Sequence, residues 1–178
     1  MERKPVNIRE AAMGYGTVIG LVWCVKFPLF PLGLRYPLLE LLFLAITAVL
    51  PFVVYIMTYR FRDRSCPDGF PFRKAFSFTW QLYLYASLLT AVVHFVYFAY
   101  IDNGFVISTY ESYLDVLGQS PDLKELGDQL MQSLQVYKQL SPIEITMQLL
   151  TQNIIYGSLF SLVTALFTMR RKKPESSN

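Results

Sequence analysis

Four long apolar blocks dominate this sequence and constrain its fold more than any other feature. They run approximately over residues 9–27, 38–59, 75–101 and 142–169. A helix rises about 1.5 Å per residue, so a block of about 20 residues crosses the roughly 30 Å hydrocarbon core of a bilayer. We therefore predict an all-α fold, an integral membrane four-transmembrane-helix bundle that forms a single domain over residues 1–178.

The composition supports this fold class. Hydrophobic residues make up 53% of the chain and charged residues 16%, whereas soluble domains carry about 25% charged residues. The first block could also be a signal peptide. It is longer than a signal core if Pro28 to Leu34 is included, and no small-x-small cleavage site follows it, which favours an uncleaved span.

Local signals define the ends of the blocks. Asn7 and Glu10 have capping-box spacing before the first block, and Ser141 and Glu144 repeat that spacing before the fourth, with proline at the first helical position. Three prolines and a glycine between Phe27 and Pro37 predict the turn between spans one and two. The polar tail, residues 174–178, is predicted to be disordered.

The polar segment 102–141 predicts a helical extracytoplasmic insert between helices 3 and 4. It contains two helix-like stretches separated by residues 118–121, and Ser120 with Pro121 is a candidate start for the second. Apolar residues recur there at three- and four-residue spacing: Leu123, Leu126, Leu130, Leu134 and Tyr137. We expect this stripe to pack against the membrane surface or the bundle.

Basic residues in the short connecting segments predict the orientation. One side holds Arg3, Lys4, Arg9, Arg60, Arg62, Arg64, Arg73, Lys74, Arg170, Arg171, Lys172 and Lys173, and the other holds only Arg35, Lys124 and Lys138. Because positive charge concentrates on the cytoplasmic side of membrane proteins, both termini are predicted to be cytoplasmic.

Several short motifs, spread along the chain in a characteristic order, are similar to those of a known protein family. They are Tyr15-Gly16, Gly20-Leu21, Phe61-Arg62-Asp63, Gly69-Phe70, Phe72-Arg73-Lys74-Ala75-Phe76, Phe98-Ala99-Tyr100-Ile101-Asp102 and Ser141-Pro142. In these the chain resembles the bacterial membrane-protein family known as domain of unknown function four-one-nine-nine. The resemblance implies a multi-pass protein of the bacterial inner membrane and no known activity.

Small residues recur at four-residue spacing in the first and fourth spans. Gly16 and Gly20 share one helix face, as do Gly157, Ser161 and Ala165. Such faces let another helix backbone approach closely, so these are candidate helix-packing residues. The contacts can form within the monomer or between copies in a homo-oligomer, and the first is favoured because a bundle has many internal interfaces.

Three ionisable residues, Lys26, Glu40 and His94, fall within apolar blocks. Each is seven residues from Gly33 or Ile101, so together they could form one polar layer that binds an ion or relays protons. The structural interpretation is that Lys26 reaches the outer interface and Glu40 faces the positive end of its helix dipole. His94 is then a neutral imidazole that is hydrogen-bonded to Ser87, Thr90 or a neighbouring helix.

The arginine-rich loop after span two has two interpretations. Its basic residues can contact anionic lipid headgroups or a partner, or they can only fix the topology. The second needs no further assumption. The residues concerned are Arg60, Arg62, Arg64, Arg73 and Lys74.

No pattern of a catalytic, cofactor or metal site occurs. There is one histidine, the phosphate-loop and nucleophile-elbow motifs are missing, and Gly14, Gly16 and Gly20 do not have dinucleotide-binding spacing. Cys24 and Cys66 are predicted to lie too far apart for a disulfide. The small net charge of +3 gives no support for nucleic-acid binding.

These observations favour a non-enzymatic structural or accessory membrane component that contacts the lipid bilayer and a membrane-protein partner or a second copy of itself. The outer insert and the aromatic third span are the predicted surfaces. The alternative is an oligomeric ion or small-molecule transporter or proton relay that uses Lys26, Glu40 and His94.

Overall fold

A computed structural model describes residues 7–170 of the chain. It contains these helices: α1 Ile8–Lys26, α2 Leu29–Gly33, α3 Pro37–Ser65, α4 Phe72–Tyr100, α5 Phe105–Gly118, α6 Lys124–Lys138 and α7 Pro142–Thr168. A short 3-10 turn, Pro121–Leu123, precedes α6. The predicted tail, 174–178, and the basic residues Arg3, Lys4, Arg171, Lys172 and Lys173 lie outside the described residues.

Four helical segments are long and apolar enough to cross a membrane. They are Ile8–Gly33, Pro37–Ser65, Phe72–Tyr100 and Pro142–Thr168. The predicted all-α, four-span fold is thus confirmed, as is the helical insert between the third and fourth spans. We call the end of the bundle beside α5 and α6 the insert end, and the opposite end, beside the α3–α4 loop, the basic end.

Helix α4 is the centre of the bundle because it packs along both α1 and α7. Its buried residues include Phe78, Leu82 and Ala86. Its exposed large side chains are mostly aliphatic, with Leu88, Val92 and Val96 among them. Phe78 is fully buried and so takes no part in the partner surface expected on this span, whereas Phe72 and Tyr100, at the two ends of α4, are exposed. The partner surface itself stays a prediction. Helix α3 lies at the periphery and exposes most of its apolar surface.

An aromatic cluster holds the basic end together. Phe61 of α3 stacks on Phe78 of α4 with ring centroids 4.2 Å apart, and Tyr15 of α1 meets both rings edge-on. Phe70, from the α3–α4 loop, adds edge contacts to Phe61 and Phe78. Offset and edge-on arrangements are the favourable geometries for such rings. The cluster therefore links three helices and the loop at one point.

The connections differ from the prediction in two places. The proline-rich turn contains α2, so the chain reverses only after Gly33, and Pro37 is the first residue of α3. The predicted loop from Arg60 to Lys74 is shorter, because α3 continues to Ser65 and α4 begins at Phe72. Arginine is a good helix former, and positive charge at a helix C-terminus is stabilising, which accounts for the longer α3.

Side-chain caps define the helix starts. The Asn7 side chain accepts hydrogen bonds from the Arg9 and Glu10 amides, and the predicted capping box of Ser141 and Glu144 is present at the start of α7. The predicted start of α6 at Ser120 is wrong, since the 3-10 turn intervenes and Ser120 makes no side-chain cap. The residues Pro121–Leu123 form this 3-10 turn, and the α-helical part of the segment begins only at Lys124.

The insert is a helical hairpin. α5 and α6 approach closely where Gly127 faces Gly118, so that a Cβ on Gly127 would lie 3.2 Å from the Gly118 Cα. The Tyr113 hydroxyl donates to the Leu34 carbonyl at 2.6 Å, which ties α5 to the α2–α3 turn. The Gln148 amide donates to the Tyr137 hydroxyl and ties α6 to α7.

Of the two surfaces expected to cover the leucine stripe, the membrane surface and the bundle, the bundle does not cover its first three residues; Leu134 and Tyr137 are half-buried, and packing on the membrane surface stays a prediction. Leu123, Leu126 and Leu130 are 40%, 49% and 42% exposed. The reason is that α6 packs on α5 through the neighbouring face that carries Gly127.

Candidate functional site

A cavity of about 340 Å³ lies inside the half of the bundle nearer the insert end. Helices α1, α2, α3, α4 and α7 all contribute to its wall. The volume is at the lower end of the roughly 300–1,000 Å³ range of small-molecule sites. The lining residues are Trp23, Lys26, Phe27, Phe30, Phe43, Thr47, Leu50, Pro51, Tyr83, Thr90, His94, Leu149, Asn153, Tyr156, Gly157 and Phe160.

Local sequence features shape this cavity. Gly157 lets α7 approach α4, since a Cβ there would lie 2.7 Å from the Tyr83 Cβ. Pro51, within α3, has no N–H and cannot bond to the Thr47 carbonyl one turn earlier. Both residues line the cavity. The α4–α7 contact is therefore very close, while α3, which also lines the cavity, lacks one backbone hydrogen bond at Pro51.

Lys26 places the only cationic group on the cavity wall among the described residues. Its Nζ donates to the Thr47 Oγ1 at 2.9 Å and lies 4.6 Å from the centre of the Phe43 ring. The Thr47 hydroxyl donates to the Phe43 carbonyl, so its oxygen is free to accept from Lys26. No aspartate or glutamate lines the described cavity. The positive charge is thus held by a hydroxyl and a ring face.

Three buried polar atoms on the cavity wall have no hydrogen-bond partner among the described residues. They are Trp23 Nε1, the Tyr83 hydroxyl and His94 Nδ1. Tyr83 and His94 are only 3% and 6% exposed. Because an unsatisfied buried polar group is costly, this grouping in one cavity is the most informative feature of the structure.

The expected hydrogen bonds from Ser87 or Thr90 to His94 are not formed. The Ser87 hydroxyl donates to the Tyr83 carbonyl at 2.7 Å, and the Thr90 hydroxyl donates to the Ala86 carbonyl at 2.9 Å. Hydroxyls in helices often bond to the carbonyl one turn earlier, and this local bond has displaced the one expected with the imidazole.

Glu40 lies apart from the other two residues of the predicted polar layer. It packs at α2, where a Cβ on Gly33 would lie 2.9 Å from the Glu40 Cα, and it does not line the cavity. Its carboxylate is close enough to α5 to affect Tyr110, whose pKa is raised first by burial and then by the Glu40 charge. The structure therefore brings Lys26 and His94 together and leaves Glu40 outside.

Both sets of small residues face α4. A Cβ on Gly16 would lie 2.7 Å from the Leu82 carbonyl oxygen, and one on Gly20 would lie 3.1 Å from the Ala86 Cα. On α7, Gly157, Ser161 and Ala165 are buried. Close approach of small residues to a neighbouring backbone is the usual packing mode of membrane helices.

The basic residues at the other end divide into two groups. Arg62 pairs with Asp63 at 2.9 Å and donates to the Thr168 carbonyl at 3.1 Å. Arg170 donates to the Cys66 carbonyl at 2.7 Å, and its backbone pairs with that of Phe70. Arg62 thus joins the end of α7 to α3, and Arg170, just after α7, joins it to the α3–α4 loop. The exposed ones are Arg60, Arg64, Arg73 and Lys74.

The cavity contains residues that the sequence had not singled out, notably Trp23, Thr47 and Tyr83. In an apolar block such residues are read as packing groups. A signal was present on α4, where Tyr83, Ser87, Thr90 and His94 follow one another at four-, three- and four-residue steps on a single face. Within the described residues no group of histidine, cysteine and acidic side chains is placed to hold a metal ion.

The comparisons with known proteins give one match. The family model described as "Protein of unknown function (DUF4199)" matches residues 14–170. No curated protein and no solved structure matches the chain.

Proposed function

We propose that this chain, which belongs to the DUF4199 family, is a non-enzymatic accessory component of the bacterial inner membrane with both termini in the cytoplasm. The four apolar spans support a multi-pass membrane protein. The basic residues at one end of the bundle support the orientation. The proposed partner is another membrane protein that packs against the α5–α6 hairpin.

The exposed leucine stripe of α6 is the observation that carries this proposal. Leu126 and Leu130 lie on α6, which packs almost only on α5, and Leu123 ends the 3-10 turn before it; each of the three is at least 40% exposed. Contiguous exposed apolar side chains on a helix outside the spans are typical of interaction surfaces. A helix that packs through i, i+3 and i+4 leucines against an apolar groove is a common recognition mode.

The absence of an enzymatic role is supported by the sequence. The chain has one histidine and lacks the motifs that carry phosphoryl, acyl or zinc chemistry. His94 has no carboxylate beside it in the cavity, so it lacks the partner that orients a catalytic imidazole.

A photocrosslinking amino acid at Leu126 tests the partner surface in native membranes. Gln132 of the same helix is the matched control, because it is exposed and polar and lies on the far side of α6. We expect one discrete protein adduct from position 126 and none from position 132. The Leu126→Asp variant should also lose the partner on copurification.

Two results would contradict this function. Adducts with lipid alone at position 126 would mean that the stripe rests on the bilayer. An adduct with twice the mass of the chain would show that the stripe contacts a second copy of this protein and not a different membrane protein.

A second candidate function is an oligomeric ion or small-molecule transporter or proton relay. It is favoured by the shared cavity of Lys26 and His94, although Glu40 lies elsewhere. A double-mutant cycle separates the two functions. For the accessory role, Lys26→Ala and Glu40→Ala should couple by less than about 0.5 kcal/mol because the residues do not share partners. Coupling above about 2 kcal/mol, repeated with His94→Ala, would favour transport.

A further inference from the structure

The cavity wall has an unusual set of polar groups. Its cation, Lys26, has no acidic neighbour on the wall, and three buried polar atoms, on Trp23, Tyr83 and His94, lack partners among the described residues. An ammonium and an indole N–H can only donate hydrogen bonds. The described lining therefore holds a positive charge with no negative charge beside it, and a ligand that fits the cavity supplies that negative charge.

The remaining wall is mostly apolar and rich in aromatic rings, with Thr47, Thr90 and Asn153 as its other polar residues. Rings from α2, α3, α7 and the α1–α2 connection surround the polar groups, and they include Phe27, Phe30, Phe43, Tyr156 and Phe160. An inorganic anion would leave this surface in contact with water or empty space. An organic anion with an apolar body would cover the rings and place its charge at Lys26.

The mouth of the cavity lies between α3 and α7. Of the lining residues, Thr47 on α3 and Tyr156 and Phe160 on α7 are the exposed ones, and all the others are buried or half-buried. These three residues lie within apolar spans, so the mouth opens sideways toward lipid and not toward water at the end of the bundle. The break at Pro51 adjoins the same opening.

We propose that this cavity binds an amphipathic organic anion, a carboxylate or phosphate on an apolar body, which enters between α3 and α7 from the bilayer. The Lys26 ammonium pairs with the anionic group, and Trp23 Nε1 and the Tyr83 hydroxyl donate hydrogen bonds to its oxygens. The apolar body of the ligand packs against the aromatic rings of the wall. Cations are disfavoured because the charge of Lys26 repels them. This inference is independent of the partner surface on α6.

Tryptophan fluorescence offers a direct test, because the chain has two tryptophans. The Trp80→Phe variant leaves Trp23 as the only reporter. Its matched control is Trp23→Phe, which retains Trp80; the Trp80 indole donates to Ser158 at 3.0 Å and does not line the cavity. The full chain is placed in phosphatidylcholine nanodiscs and titrated with dibromostearate, whose bromines quench nearby indoles. Its neutral methyl ester is titrated in parallel.

We expect saturable quenching of Trp23 by the acid, at least about tenfold weaker binding of the ester, and no saturable component at Trp80. Lys26→Met should weaken binding of the acid by about tenfold or more, the range for a lost charged hydrogen bond, while Lys26→Arg should retain most of it. Tyr83→Phe removes only an unpartnered hydroxyl, so it should bind the acid more weakly yet melt no lower than the parent.

Bromobenzoate, added from solution, distinguishes the source of the anion. Saturation by dibromostearate with weaker binding of bromobenzoate supports entry from the bilayer. Saturation by bromobenzoate alone would overturn bilayer entry and assign the site to a water-soluble aromatic anion. Equal quenching by acid and ester, or a Lys26→Met variant that binds the acid like the parent, would overturn the anion site altogether.

Discussion

The contact between α1 and α4 predicts that alanine substitutions at three glycines of α1 change the stability of the protein by different amounts. Gly14, Gly16 and Gly20 all lie in α1, so replacement by alanine gives each the same gain in helix propensity, about 1 kcal/mol. They differ only in what the new methyl group meets. Nothing lies within 4 Å of a Cβ at Gly14, whereas one at Gly16 would lie 2.7 Å from the Leu82 carbonyl oxygen.

The difference in stability between the Gly14→Ala and Gly16→Ala variants measures the cost of placing a methyl group in the α1–α4 contact. The atom that blocks a methyl group at Gly16 belongs to the α4 backbone, which cannot rotate away, so α1 must move outward. Overpacking of this kind costs about 1–3 kcal/mol. At Gly20 the nearest atoms lie at 3.0–3.2 Å, and the closest is a leucine methyl, so the cost there is smaller. The expected order of stability is Gly14→Ala, then Gly20→Ala, then Gly16→Ala.

Thermal unfolding in detergent, followed by circular dichroism, measures this order. For a chain of this size, 1 kcal/mol corresponds to a shift of about 2–4 °C, so Gly16→Ala should melt about 4–8 °C below Gly14→Ala at a difference of about 2 kcal/mol. Equal melting temperatures would refute the argument, since they would mean that α1 does not meet the α4 backbone at Gly16. A shift that depends on protein concentration would instead place this face between copies.

Three further predictions concern the ends of the bundle. Single cysteines at Ser65 and Ser120 in a cysteine-free background should differ on intact cells, with an impermeant thiol reagent labelling only position 120; the reverse pattern would invert the proposed orientation. Leu126→Asp combined with Leu130→Asp should leave the melting temperature of the isolated chain nearly unchanged, within about 0.5 kcal/mol per residue, because both side chains are exposed; a large loss would mean that the stripe is packed. Burial raises the pKa of the Cys66 thiol, which lowers its thiolate fraction at any given pH, so Cys66 should alkylate more slowly near pH 8 in the native protein than after denaturation in SDS. Equal rates would show that the loop is open.

The spans and several caps could be predicted because each depends on local sequence. An apolar block of sufficient length indicates a span in any context, and the capping box at Ser141 and Glu144 is complete within four residues. The continuation of α3 to Ser65 does not follow from the sequence, because arginines after an apolar block are as typical of a connecting loop as of a last helical turn. In the structure Arg62 donates to the Thr168 carbonyl at the end of α7, and Asp63 accepts from Arg170 just beyond it, contacts between residues more than 100 positions apart.

The motifs that carried the family resemblance mostly hold the fold together. Phe61 and Phe70 belong to the aromatic cluster at the basic end, and Gly69 has a φ of 134°, in the region that favours glycine. Asp102 accepts hydrogen bonds from the Gly104 and Val106 amides and so starts α5. These roles explain how loose motifs can identify the fold and yet say nothing about a ligand.

The cavity could not be predicted from sequence because its polar groups come from four helices whose mutual rotation depends on packing. The equal spacing of Lys26, Glu40 and His94 from the chain reversals placed them at one depth but could not tell which faces they occupy. Glu40 lies on the same face of α3 as the cavity residues Phe43 and Thr47, but it is in the first turn, packed against Gly33 of α2, and so lies beyond the cavity. A more informative signal was the polar face of α4 that ends in His94, because hydroxyls on the central helix of a bundle must face neighbours. Two of those hydroxyls bond within the helix, and the other two groups, on Tyr83 and His94, stay unpartnered in the cavity. Buried polar groups whose hydrogen bonds the fold leaves unmade need a partner from outside the chain, so their grouping in one cavity marks that cavity as a candidate binding site.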